Sequence, residues 1–144
     1  MLKAIIIYHT QTGNTKSLAE KIKNRLESLN IGSAIYQDMN FEHIDNIKNF
    51  DIICLGSPTY YFQIAKNFKE FLHKITELNL GGKKLITFGT GSSKSGPTKI
   101  CTDISKIMNP TGIQTIAKIG CIKKPTEEID SKIEKLLSKD IFRT

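Results

Sequence analysis

Residues 4–18 read AIIIYHTQTGNTKSL. A run of apolar residues, Ala4–Ile7, gives way to three threonines spaced around Gly13 and Asn14, and no cation appears before Lys16. The apolar run has the length and character of a buried strand. From Asn14 onward, Leu18, Ala19, Ile22, Leu26 and Leu29 fall on one helical face, so a helix over Asn14–Leu29 follows. The hydroxyls therefore sit where a strand ends and a helix begins. A helix N-terminus presents unpaired N–H groups and the positive end of a dipole, which suits a phosphate. Threonines add donors without bulk, and glycine lets the backbone close around a ligand. Neither GxxxxGK[ST] nor GxGxxG is present, so the loop is neither a nucleoside-triphosphate loop nor a dinucleotide fingerprint. It suits a terminal monophosphate held by neutral donors.

The rest of the chain alternates in the same way. Further strands are expected over Ser33–Gln37, Asp51–Leu55, Leu85–Phe88 and Gln114–Ile122, the second of these ended by Gly56 and Pro58. Asp38–Phe50 reads as irregular, with one helical turn around Ile44–Lys48. Helices are expected over Ile64–Ile75, Pro97–Met108 and a last segment capped by Thr126, with Ile129, Ile133, Leu136 and Leu137 facing inward. Continuous apolar strands between helices imply a parallel sheet covered on both faces. The fold class is α/β, a single doubly wound domain over residues 1–144 with a five-stranded parallel sheet. In such sheets ligands bind outside the carboxyl ends of the strands. That rule selects three loops, at 9–15, 56–63 and 89–96.

At 144 residues, 39% hydrophobic and 24% charged, the composition is that of a soluble globular chain. No apolar stretch is long enough for a bilayer and no signal peptide is legible, so a cytoplasmic location away from membranes is expected. The three cysteines, Cys54, Cys101 and Cys121, form no CxxC pair and read as small buried apolar residues. His9, His43 and His73 are not spaced with them as metal ligands. The net charge of +7 is uneven, with +1 in residues 1–72 and +6 in residues 73–144. A basic half can draw an acidic partner protein, nucleic acid or an anionic surface, or be simply a lysine-rich solvated face. Only two of the 21 cations are arginine, the residue preferred for reading base edges, so nucleic acid is not expected.

Thr10-Gln11-Thr12-Gly13-Asn14-Thr15, directly after AIIIY, resembles the phosphate loop of the flavodoxin family. GSPTYYFQIAKNFKEFL, residues 56–72, resembles the family's second ligand loop, including that of its quinone-reductase relatives. Length and strand–helix order agree over the whole chain. The resemblance implies strand order 2-1-3-4-5, a non-covalently bound FMN, and transfer of electrons between redox partner proteins; a monomer is expected rather than an oligomer. It gives Thr10, Gln11, Thr12, Gly13, Asn14 and Thr15 to the FMN phosphate. Pro58, Thr59, Tyr60, Tyr61 and Phe62 would flank the isoalloxazine, where aromatic rings can stack. Gly89, Thr90, Gly91, Ser92, Lys94 and Gly96 would form the third loop, at the flavin's pyrimidine edge. Three consecutive aromatics cannot all face one way, so at least one of Tyr60–Phe62 belongs to the core.

Two features depart from the family pattern. Flavodoxins are typically acidic, whereas here the third loop has no acid and contains Lys94, which implies a less negative fully reduced couple. The stretch SPTYYF has no glycine, and backbone flips at other residues cost more, so the half-reduced flavin would gain less stabilisation. The alternative function is a small FMN-dependent NAD(P)H:quinone oxidoreductase, for which the chain carries no second nucleotide motif; an electron carrier is expected rather than an enzyme. A phospho-receiver would need acids where His9–Thr10 and Gly56–Ser57 stand. A small tyrosine phosphatase would need an arginine where Tyr60 follows Cys54.

Overall fold

Ala4, Ile5, Ile6 and Ile7 are all fully buried, although successive strand residues point to opposite faces. Both faces must therefore be covered. In the computed structural model, which describes residues 1–143, Ala4, Ile6 and Tyr8 enter one core and Ile5 and Ile7 the other. Strand β1 (Lys3–Tyr8) lies parallel between β2 (Gly32–Gln37) and β3 (Ile52–Tyr60). Beyond β3, a two-residue strand β4 (Gln63–Ile64) pairs back on it antiparallel, and β5 (Lys84–Gly91) and β6 (Gln114–Ile122) complete the parallel sheet. The order is β2-β1-β3-β5-β6. With β4 set aside, this is the expected 2-1-3-4-5 arrangement.

Helices α1 (Asn14–Ser28) and α4 (Glu127–Leu136) cover the first core with Leu18, Ile22, Leu26, Ile129 and Ile133. Helices α2 (Lys66–Ile75) and α3 (Ser95–Met108) cover the second with Phe68, Leu72, Ile100 and Ile104. Asn30 ends α1 with φ 62 while the Ile31 N–H bonds the Leu26 carbonyl, a Schellman closure that returns the chain to β2. Thr126 occupies the N-cap of α4, but its side chain makes no capping bond; the first turn carries Glu127, Glu128 and Asp130. The expected turn near Ile44–Lys48 is a 3₁₀ helix over Ile44–Asn49. Cys54, Cys101 and Cys121 are unpaired and buried, and burial pushes the Cys101 thiol up to about 11. No helix among the described residues is long and apolar enough to cross a membrane.

The boundaries that differ from expectation by more than one residue lie at the carboxyl edge of the sheet. Strand β3 does not end at Gly56 and Pro58 but runs through them to Tyr60. Gly56 is there because the Phe88 ring lies over it: a Cβ at residue 56 would fall 2.1 Å from that ring. β1 ends opposite Gly56, so Pro58 lies beyond it, with β5 as its parallel neighbour, where a missing N–H is tolerated. Helix α2 starts at Lys66 rather than Ile64, since Ile64 pairs with Thr59 in the β3–β4 hairpin. Gly89, Thr90 and Gly91 belong to β5 and Gly96 to the first turn of α3, which leaves 92–94 as the loop where 89–96 was expected.

Replacing Gly56 by alanine forces the Phe88 ring out of its place. Overpacking of this kind costs about 1–3 kcal/mol. A Gly56→Ala variant is expected to unfold at correspondingly lower urea concentration, with an unchanged denaturant slope.

Candidate functional site

Three chain segments converge where β1, β3 and β5 end. The first is the turn into α1. Gly13 takes the N-cap position with φ 95, a conformation that favours glycine, and its N–H donates to Thr10 Oγ1 at 3.1 Å. No side chain caps α1 and no acid stands in its first turn, so its leading N–H groups stay available to an anion.

The Thr15 side chain points away from that opening. It is buried, and its hydroxyl shares a 2.8 Å hydrogen bond with that of Thr90 at the end of β5. Thr59, near the end of β3, donates through Oγ1 to the Thr90 carbonyl at 2.7 Å. The three segments are thus tied by three threonines. Thr59 fits only because its neighbours lack side chains: a Cβ at Gly91 would lie 2.9 Å from Thr59 Oγ1, and one at Gly96 3.1 Å from its Cγ2. Gly89 serves packing as well, since a Cβ there would come within 2.8 Å of the Pro97 carbonyl oxygen.

The second segment is the β3–β4 hairpin. Ser57 anchors its base, accepting from the Ala65 N–H at 3.2 Å and donating to the Pro58 carbonyl. Tyr61 and Phe62 form its two-residue turn with φ 49 and 63, so both central positions are left-handed. Such turns match strand twist but favour Asn-Gly, so two aromatics here carry backbone strain. The three aromatics divide as their number requires. Tyr60 packs against the second core, while Tyr61 is 96% and Phe62 53% exposed. The Tyr60 hydroxyl donates to Gln11 Oε1, joining the hairpin to the α1 turn across the opening. Burial pushes the Tyr60 phenol up, which keeps it a donor.

Between the segments lies a cavity of about 290 Å³ lined by Gln11, Thr12, Asn14, Pro58, Thr59, Tyr60, Thr90, Gly91, Ser92 and Lys123. Nine of the ten are among the residues expected from sequence. Thr10, Gly13, Thr15, Gly89 and Gly96 instead hold the frame behind it, Tyr61 and Phe62 stand at the hairpin tip, and Lys94 is exposed outside the lining. Lys123 went unnoticed in the sequence because it follows β6 and belongs to no motif. A hollow of about 530 Å³ beside Glu42–Asn46 and Lys74 is larger but lies away from the edge where the three segments meet. His9, at the base of the first segment, pairs through Nδ1 with the Asp38 carboxylate at 2.9 Å. Among the described residues no cluster of His, Cys, Asp and Glu could hold a metal ion.

The donor set fits a phosphorylated, largely apolar ring system: open N–H groups and hydroxyls at one wall, an aromatic hairpin at another. Residues 5–133 match a family described as flavodoxin domain. A flavodoxin of Clostridium saccharobutylicum is 30% identical over 101 residues, 69% of this chain and 62% of that protein. The matches span between 53% and 62% of the length of the first curated relatives. Among solved structures, a flavodoxin from the domain Archaea superposes with TM-score 0.86 at 24% identity, covering 99% of this chain and 100% of that one. A Fusobacterium nucleatum flavodoxin bound to flavin mononucleotide superposes with TM-score 0.75 at 17% identity, covering 94% and 95%.

Replacing one threonine of the buried hydroxyl pair leaves the other without a partner, at a cost of about 1–3 kcal/mol. Thr15→Val and Thr90→Val are each expected to destabilise the chain by that amount. The double variant is expected to recover part of the loss, and a double-mutant cycle by urea unfolding measures the coupling.

Proposed function

The chain belongs to the flavodoxin family, and from that premise we propose that it binds FMN without a covalent bond and passes electrons between redox proteins. The observation that carries this reading is the cavity at the carboxyl edge of the sheet, with the uncapped start of α1 at one wall and the β3–β4 hairpin at another. Bound FMN would supply the redox chemistry. The protein's own groups bind and orient it. The N–H groups opening α1, with Thr12 and Asn14, face the phosphate. Pro58, Thr59 and Tyr60 form the wall beside the isoalloxazine, and Thr90, Gly91 and Ser92 the wall along β5. Tyr61 and Phe62 extend the hairpin past the sheet and shield the ring from water at its exposed edge. Thr10 holds the α1 turn by accepting the Gly13 N–H.

Residues 1–144 act as one FMN-binding domain in this reading. The quinone-reductase alternative needs a second nucleotide site, and no sequence motif supports one. The redox partner is acidic on its docking face, as the +6 charge of residues 73–144 suggests. Lys69 and Lys106, beside the hairpin base at Gln63 and Ile64, offer cations at the margin of the site.

Titration of the flavin-free chain with FMN is expected to quench flavin fluorescence at one FMN per chain. With quinone present, the loaded protein is expected to consume neither NADH nor NADPH steadily. Absence of quenching overturns the cofactor assignment, and sustained turnover moves the reading to the reductase. Electron transfer to an acidic partner is expected to slow as salt rises, as screening of complementary surfaces requires.

A further inference from the structure

Lys123 is the one charged residue among the ten that line the cavity. Its backbone is unusual for a lysine. β6 ends at Ile122, and residue 123 turns the chain with φ 61, a region that L-residues other than Asn, Asp and His seldom enter. The Lys123 N–H donates to the Gly91 carbonyl at 2.6 Å, so a hydrogen bond to the end of β5 holds the residue against its own preference. Gly91 itself lines the cavity, and the bond therefore fixes the root of the Lys123 side chain at the cavity wall. Among the described residues Lys123 makes no ion pair, and the rest of the lining is neutral. Its charge is left for whatever enters. Lys94, the cation that the sequence motifs brought forward, is exposed as Lys123 is, but stands outside the lining.

We propose that Lys123 is the specificity-determining cation of this site, its ammonium pairing with the phosphate of the flavin so that the chain selects FMN over riboflavin. The proposal rests on the FMN reading above. Three features favour the phosphate over the ring. A phosphate monoester carries about −1.5 to −2 charge at neutral pH. Oxidised flavin carries no charge on its ring, so only the phosphate attracts a cation before any electron arrives. Thr12 and Asn14, at the start of α1, line the same cavity of about 290 Å³ as Lys123. A charge-assisted bond would then add to the N–H groups of the helix start, where the loop sequence alone offered neutral donors only.

The test compares binding of FMN and riboflavin to the flavin-free chain, by fluorescence quenching at low and high salt. Lys123→Asn removes the charge and keeps a residue that tolerates the left-handed turn; Lys123→Gln is a second neutral variant, and Lys123→Arg restores the charge. Circular dichroism melts check that each variant folds. Either neutral variant is expected to raise the FMN dissociation constant about fivefold to tenfold at low salt while leaving that for riboflavin unchanged. The difference from wild type is expected to shrink at high salt, and Lys123→Arg to recover most of the FMN affinity. Equal weakening of both flavins would overturn the proposal, because Lys123 would then only shape the turn. Unchanged FMN binding in both neutral variants would overturn it as well, and would leave the FMN reading standing. A wild-type chain that binds neither flavin would remove the FMN reading and the proposal together.

Discussion

A buried hydrogen bond between two threonine hydroxyls holds the open edge of this sheet together. Thr90 sits at its centre, meeting Thr15 of α1 through its side chain and Thr59 of β3 through its carbonyl. Parallel strands end abruptly, and the ladder gives no cross-link past the last paired residue. β1 stops at Tyr8, while β3 and β5 run farther. Without a tie, the start of α1 and the two longer strands would end independently. The hydroxyls supply that tie in a region sealed from water, where an unmatched partner is costly. The cavity then has walls whose spacing is set by these hydrogen bonds between strand ends and the helix start rather than by loop conformation.

Space is the second constraint. The tie needs the chains close together, and closeness is obtained by omitting side chains. Gly91 and Gly96 flank Thr59, Gly89 meets Pro97, and Gly56 lies under the Phe88 ring. None of these four glycines has a positive φ, unlike Gly13. They are present for their lack of bulk, and Gly13 for its backbone freedom. A single residue type thus meets two separate demands within one site.

This division explains what was legible in the sequence. Helix and strand identities and the two-sided core follow from apolar periodicity, which the packing here obeys at Ile5–Ile7 and along α1, whereas the sheet order was implied by the family resemblance alone. Gly56 and Pro58 read as a strand end because those residues usually break strands; no local signal told that an aromatic ring 32 positions later, Phe88, lies over the glycine. The burial of Thr15 was available: it precedes Leu18, Ala19 and Ile22 by three, four and seven residues, the spacing of one helical face. Its partner, 75 positions away, was not. Lys123 carries no motif, yet the end of β6 shares an edge with the other strand ends, so the rule that selected three loops also pointed to a fourth.

The sealed sulfurs have a consequence for electron counting. Cys54, Cys101 and Cys121 are 0%, 1% and 6% exposed, and none is paired. A protein that handles reducing equivalents is simplest to interpret when its polypeptide stores none. With no disulfide to reduce and no accessible thiol to oxidise, the chain adds nothing to the stoichiometry of a redox titration. In the proposed FMN complex every equivalent taken up or released would belong to the flavin, and two copies of the protein meeting in an oxidising medium have no thiol at the surface through which to cross-link.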